Sequence, residues 1–235
     1  MPSAEIIQRF AQHEDEYVLA SQGYAARRSV RLDELDSEGK PAGHAEVITT
    51  PVVTADGVRM DRPEGEPETT LQFMSLERDD LEILNKIPQF PLVTAELPKY
   101  NITYQGRQAV DELMTYVFTV APRQVVRGNV YFSGLVWVDD GELAIVKTYG
   151  KWVNIDGDAK LGNLPFTLFE TYRQPVGKYW LPAYSRADGS INARNQNVGV
   201  RLIVRWDNYV RVPAGSAGPP PSADAPPTLH RAPSN

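Results

Sequence analysis

The stretch NVYFSGLVWVDDGELAIVKTYGKW, residues 129–152, decides the fold. It reads as two strands around a turn at Asp140-Gly141, and the first strand is apolar on both sides. Successive side chains along a strand point to opposite faces, so Val130, Phe132, Val136 and Val138 share one face and Tyr131, Leu135 and Trp137 the other. One face packs on a core. The other must also be kept from water, by helices, by a further sheet or by an apolar ligand, because a bare apolar face is an aggregation surface.

Outward from this hairpin the same pattern recurs. Strands are predicted over 24–36, 43–53, 57–61 and 69–74, with turns at 37–40 and at Asp56-Gly57. They resume over 101–104, 113–122, 127–138, 143–153, 166–173, 179–186 and 198–212, with joints that include Asp156-Gly157, Val176-Gly177 and Asp188-Gly189. The last strand alternates most cleanly, with Val198, Val200, Leu202, Val204 and Trp206 against Arg201, Arg205, Asp207 and Arg211. With no strand–helix alternation, consecutive hairpins predict an antiparallel meander, a mainly β fold, and not a nucleotide-binding one.

Two helices interrupt this pattern. Ser3 is placed to cap a helix of roughly 14 to 17 residues whose stripe is Ile6, Ile7, Phe10, Tyr17 and Val18. Glu14, Asp15 and Glu16 sit where the helix dipole disfavours acids, so fraying is expected near Ala20 to Gly23. Over residues 75–88, Leu76, Leu81, Leu84 and Ile87 have helical spacing and Pro88 stops it. Residues 1–212 are expected to form one domain, and the Pro/Ala-rich residues 213–235 a disordered tail.

Lys+Arg of 24 against Asp+Glu of 30 gives a net charge of −6, without the basic footprint of a nucleic-acid binder. No cysteine is present, which excludes disulfides, thiolate metal sites and cysteine nucleophiles. No apolar run approaches the roughly 20 residues of a membrane helix, and residues 1–10 lack the apolar stretch of a secretion signal.

The chemistry of catalysis is sparse. His13, His44 and His230 fall on the first helix, beside a turn and in the tail, where they read as ordinary residues and not as positioned bases. Asp139-Asp140 and Asp79-Asp80 suit turn and cap geometry. Glu170, inside an apolar strand, is the most interesting lone acid, and a salt bridge to Arg173 or Arg205 is its expected role. No enzyme, cofactor or metal is expected. The aromatics suggest an apolar cavity suited to acyl chains, although a filled core explains any single one as well.

Gly134-Leu-Val-Trp137-Val-Asp139 followed by Ile145-Val146-Lys147 resembles a strand pair of the outer-membrane lipoprotein-sorting, LolA-like family. Asp56-Gly57 with Arg59, the run 87–92, Tyr100 to Gly106, the run 165–173 and Tyr179 to Pro182 extend the likeness over roughly residues 4–212. The resemblance implies an open, half-closed antiparallel β-barrel with helices plugging its concave face, and a periplasmic carrier or binder of a lipid or acylated lipoprotein. Its expected cavity and lid residues are Phe10, Phe73, Leu81, Leu84, Ile87, Phe90, Trp137, Phe166, Phe169 and Trp206. A monomer is expected. The alternative is an envelope sensor or scaffold, a filled half-barrel with a protein partner.

Overall fold

The computed structural model describes residues 1–53, 59–65, 68–75, 92–159 and 164–212. In chain order these form helix α1 (Ser3–Ser21), β1 (Tyr24–Leu35), β2 (Pro41–Val53), β3 (Arg59–Pro63), β4 (Glu68–Thr69) and a 3-10 helix (Thr94–Lys99). Then come β5 (Tyr100–Val110), β6 (Leu113–Pro122), β7 (Tyr131–Asp139), β8 (Ile145–Asn154), β9 (Gly157–Asp158), β10 (Leu168–Val176), β11 (Tyr179–Ala193) and β12 (Gln196–Arg211).

All these strands join one antiparallel sheet in the order β3-β2-β1-β12-β11-β10-β8-β7-β6-β5, with β4 added to β2 and β9 to β8. The end strands β3 and β5 do not pair with each other, so the sheet is an open half-barrel. The expected meander holds for two runs, β1 to β3 and β5 to β12. What joins them is β1 lying antiparallel to β12, from Tyr24 opposite Arg211 to Leu35 opposite Gly199. No hairpin signal announces this pairing, because its partners lie at opposite ends of the chain.

Residues directly opposite in antiparallel neighbours share a face. One lateral row therefore runs Val136, Thr148, Thr171, Ser185, Val204, Val30, Val47 across the inner face. Two apolar clusters lie along it. In the first, Ile6, Phe10 and Ala11 of α1 pack with Phe118, Val120, Phe132, Val136, Val138 and Ile145. In the second, Val30, Leu32, Phe166, Phe169, Val200, Leu202 and Val204 pack together, with Trp206 half-buried against them. Thr148, Thr171 and Ser185 form a buried hydroxyl strip between the two, and the Thr171 and Ser185 hydroxyls bond at 2.9 Å.

The outer face of β7 is covered differently. Trp137, Val117 and Val146 form a third cluster with partly buried Val110, Leu113, Leu135 and Trp180. Lys147, opposite both Trp137 and Tyr172, lays its ammonium over their rings at 4.9 and 4.5 Å from the centroids. The second apolar face foreseen in the hairpin is thus closed by side chains of its own sheet. Tyr131 departs from the expected grouping and joins the inner cluster, 6.3 Å from the Tyr100 ring. β6 pairs with β7 only from Gly134 onward, so no strand separates the two faces beside Tyr131.

Other expectations need correction. Helix α1 runs for 19 residues, longer than its stripe suggested, and begins after Pro2 with no side-chain cap from Ser3. Of the expected 69–74 strand only Thr69 lies in a strand, the two-residue β4 that pairs with β2. Past it, the buried Glu34 carboxylate accepts the backbone N–H groups of Gln72, Phe73 and Met74 at 2.7 to 2.9 Å, which holds that segment off the ladder. Asp188-Gly189 lies inside β11 and is no joint. Gly189 is needed there because a Cβ would come within 2.5 Å of the Pro165 carbonyl oxygen. The hairpin turns instead at Arg194 and Asn195, both with positive φ (47° and 63°), the geometry of a type I′ turn. The expected 75–88 helix, the Asp56-Gly57 turn and the 213–235 tail lie outside the described residues.

Candidate functional site

Helix α1 is fastened to the inner face at one point by charge. Its buried stripe runs Ile6, Phe10, Glu14, Tyr17, so Glu14 faces the sheet. There Arg173, on the inward face of β10 with Phe169 and Thr171, donates to both Glu14 carboxylate oxygens at 2.6 and 3.0 Å. The two side chains are 4% and 2% exposed. Burial opposes the Arg173 charge, but the Glu14 carboxylate outweighs it and holds the guanidinium above its ordinary pKa. The guanidinium also lies 4.4 Å from the centre of the Tyr17 ring, and burial pushes the Tyr17 hydroxyl well up. Glu14 is therefore a docking residue of α1, not an acid weakening its end.

A cavity of about 40 Å³ lies beside this pair, with His13, Glu142, Lys178 and Trp180 in its wall. It is small by the standard of ligand sites, which begin near 300 Å³.

The larger space lies where α1 meets the sheet edge. Ile7 and Gln8 of α1, Leu97 and Pro98 of the 3-10 helix, and Tyr100 and Ile102 of β5 line a groove of about 310 Å³. Arg123, just after β6, completes it. Ile102 lies opposite the buried Val120, so the groove floor continues the first core cluster. Tyr104, two residues on, is 42% exposed and packs its ring on Phe118 at 5.5 Å. Burial raises the Tyr100 hydroxyl pKa to about 12, so the ring stays neutral. The Arg123 Nε donates to the Tyr100 carbonyl at 2.9 Å.

The structure does not gather the expected cavity residues into one lining. Phe10 is fully buried in the first cluster. Phe166, Phe169 and Trp206 belong to the second, and Trp137 lies on the outer face, its Nε1 donating to Gln108 at 3.0 Å. Phe73 is half-buried under the Arg194 guanidinium, 5.3 Å away. Leu81, Leu84, Ile87 and Phe90 lie outside the described residues. Sequence reasoning missed the groove walls Ile7, Leu97, Pro98, Ile102 and Arg123 as a set. Pro98 inside a short apolar run after Leu92 was the available signal for a non-strand wall there.

Glu170 is paired, but with Lys147 and not with an arginine. The contact is 2.6 Å, and the Tyr172 hydroxyl donates to the same carboxylate at 3.1 Å. Partial burial pulls the Lys147 pKa down, while Glu170 and Tyr172 more than offset this and leave it raised. Glu170→Gln is expected to lower unfolding free energy by about 1 kcal/mol, since ion pairs that keep some contact with solvent are worth little and these side chains are 15% and 30% exposed; thermal unfolding checks this. His13 is exposed on α1, and His44 on β2 sits 3.3 Å from the Thr70 hydroxyl. Among the described residues no three His, Asp or Glu side chains converge to hold a metal, and no helix is long and apolar enough to cross a membrane.

No protein-family model matches the chain, and no curated protein sequence matches it either. Solved structures do. A DUF1329 family protein from Desulfovibrio piger is 13% identical, over 92% of this chain and 95% of that one, with a TM-score of 0.43. A putative outer membrane lipoprotein-sorting protein domain from Vibrio parahaemolyticus is 10% identical, over 87% and 93%, at 0.38. A LolA superfamily protein from Nitrosomonas europaea is 10% identical, over 86% and 91%, at 0.35. The last two carry the family names that the 134–147 motif resembles. The half-barrel itself rests on the strand order and register of this chain.

Proposed function

We propose that this protein is a non-enzymatic, periplasmic binder of an acyl chain, from a lipid or an acylated lipoprotein, and that the chain lies in the groove between α1 and β5. The observation that carries this reading is an apolar space of about 310 Å³ opening beside the core, between a helix and a sheet edge. That volume lies at the lower end of small-molecule sites. Each methylene moved from water into such a groove contributes about 0.8 kcal/mol, and association costs offset several of them, so micromolar affinity is the expected scale. Leu81, Leu84 and Ile87, on their helical spacing and the family resemblance, remain proposed lid residues, and Phe90 a proposed cavity residue.

Titration with a fluorescent fatty-acid analogue tests this. Saturable uptake at micromolar probe is expected, and Ile102→Asp, which places a carboxylate in the groove wall, should weaken it at least about tenfold. Tyr149→Ala, at an exposed position on the outer face, should leave it unchanged. Lack of saturable uptake by the unaltered protein overturns the reading.

One observation favours a second reading, an envelope sensor or scaffold that binds a protein. Phe10, Phe118 and Phe166 are all 0% exposed, so both inner clusters are packed solid. Absent probe uptake, together with capture of an envelope protein that requires residues 213–235, would support it.

A further inference from the structure

We propose that the groove between α1 and β5 selects an amphiphile with an anionic head, a carboxylate or a phosphate, and that Arg123 makes this selection; the inference rests on the acyl-chain reading above. Among the described residues lining the groove, Arg123 is the charged one. Its Nε is spent on the Tyr100 carbonyl at 2.9 Å, and among the described residues its guanidinium has no carboxylate partner. That bond holds the planar group at the groove while its two terminal nitrogens keep their donors.

The neighbouring charges do not compete for it. On α1, Arg9 pairs with Glu5 at 2.8 Å, and on the 3-10 helix Lys99 pairs with Glu96 at 2.8 Å. Of the described residues lining the groove, Arg123 alone therefore carries an unneutralised charge, in a chain whose net charge is −6, while the Asp15 carboxylate of α1 accepts from the Thr94 N–H and hydroxyl at the start of the 3-10 helix. A guanidinium offers paired N–H donors matched to two oxygens of a carboxylate or phosphate. The apolar walls take the chain, and the arginine at their border takes the head. Because Arg123 is exposed, solvent screens the contact, and a preference of roughly five- to tenfold is the expected size.

Three fluorescent probes with the same acyl chain and a carboxylate, a phosphate or a hydroxyl head test the proposal on the full chain. The unaltered protein should bind one or both anionic probes about five- to tenfold tighter than the hydroxyl probe, and about 0.5 M salt should shrink that margin. The probe with the larger margin tells a fatty acid from a phospholipid as the source of the head. Arg123→Gln should bind all three alike, at the hydroxyl probe's affinity, with an unchanged far-UV spectrum. Equal binding of all three probes by the unaltered protein overturns the role of Arg123 and leaves the groove reading standing. Binding of none overturns both.

Discussion

Arg173→Met is expected to lower the unfolding free energy by about 3–5 kcal/mol, the cost of removing one partner from a buried ion pair. The remaining Glu14 carboxylate, 2% exposed, would lose both donors that hold it. A carboxylate left there without its donors is costly, and relief requires the helix to shift or Lys178, in the wall of the adjoining cavity, to turn toward it. Glu14→Leu should cost a similar amount, because it strands the guanidinium beneath Tyr17. The pair replaced together, Glu14→Leu with Arg173→Met, should recover most of the loss, since apolar side chains of similar volume carry no desolvation penalty. Urea unfolding of the four proteins closes the cycle. If the double variant is as unstable as the sum of the singles, the charges act independently and the contact is not what docks α1. Because α1 forms one wall of the groove, both single variants should also weaken probe uptake, whereas the double variant should keep it.

A loss of comparable size is expected for Gly134→Ala. Gly134 and Gly150 lie opposite each other on β7 and β8, on the inner face between Phe132 and Val136. A Cβ on Gly134 would fall inside contact distance of the Tyr149 carbonyl oxygen and of Gly150 Cα, and 3.0 Å from the Phe132 ring. A Cβ on Gly150 would lie 2.6 Å from the Ser133 carbonyl oxygen and closer still to the same ring. The Phe132 ring, packed edge-on to Trp152 at 6.3 Å, therefore sits over two bare backbones. Overpacking usually costs about 1–3 kcal/mol, and here two backbone atoms stand in the way, so about 3 kcal/mol or more is expected. Gly134→Ala with Phe132→Leu should not rescue it, because the nearest obstacles belong to the β8 backbone. Rescue to near the original stability would show that the ring alone sets the limit.

Much of this molecule was legible in the residues. The alternation of 198–206 placed Val200, Leu202 and Val204 inward, and they are 0 to 1% exposed. The two-sided apolarity of 131–138 foretold that both faces of β7 would be covered, and they are, by α1 with its core on one side and by Lys147 with the third cluster on the other. Glu14 shows the limit. Its place on the stripe with Phe10 was visible, four residues on, yet an acid there read as a fault in the helix because its partner lies 159 residues away. Trp137 shows the same limit from the other side. Its face was assigned correctly against Val136, but nothing local told which of the two faces would receive the helix.

The sequence by itself determined most of the periods: where much of the chain is strand, which side chains of a clean alternation such as 198–206 share a face, and turns such as those at Asp140-Gly141 and Val176-Gly177. These depend on neighbours a few residues apart, and backbone stereochemistry makes them local. Only the tertiary structure decided that β1 would lie against β12, that Arg173 would meet Glu14, and that α1, the 3-10 helix, β5 and Arg123 would enclose one groove. Each of those contacts closes a long loop, and its entropy is repaid only when the whole sheet assembles. No short window of sequence contains that sum.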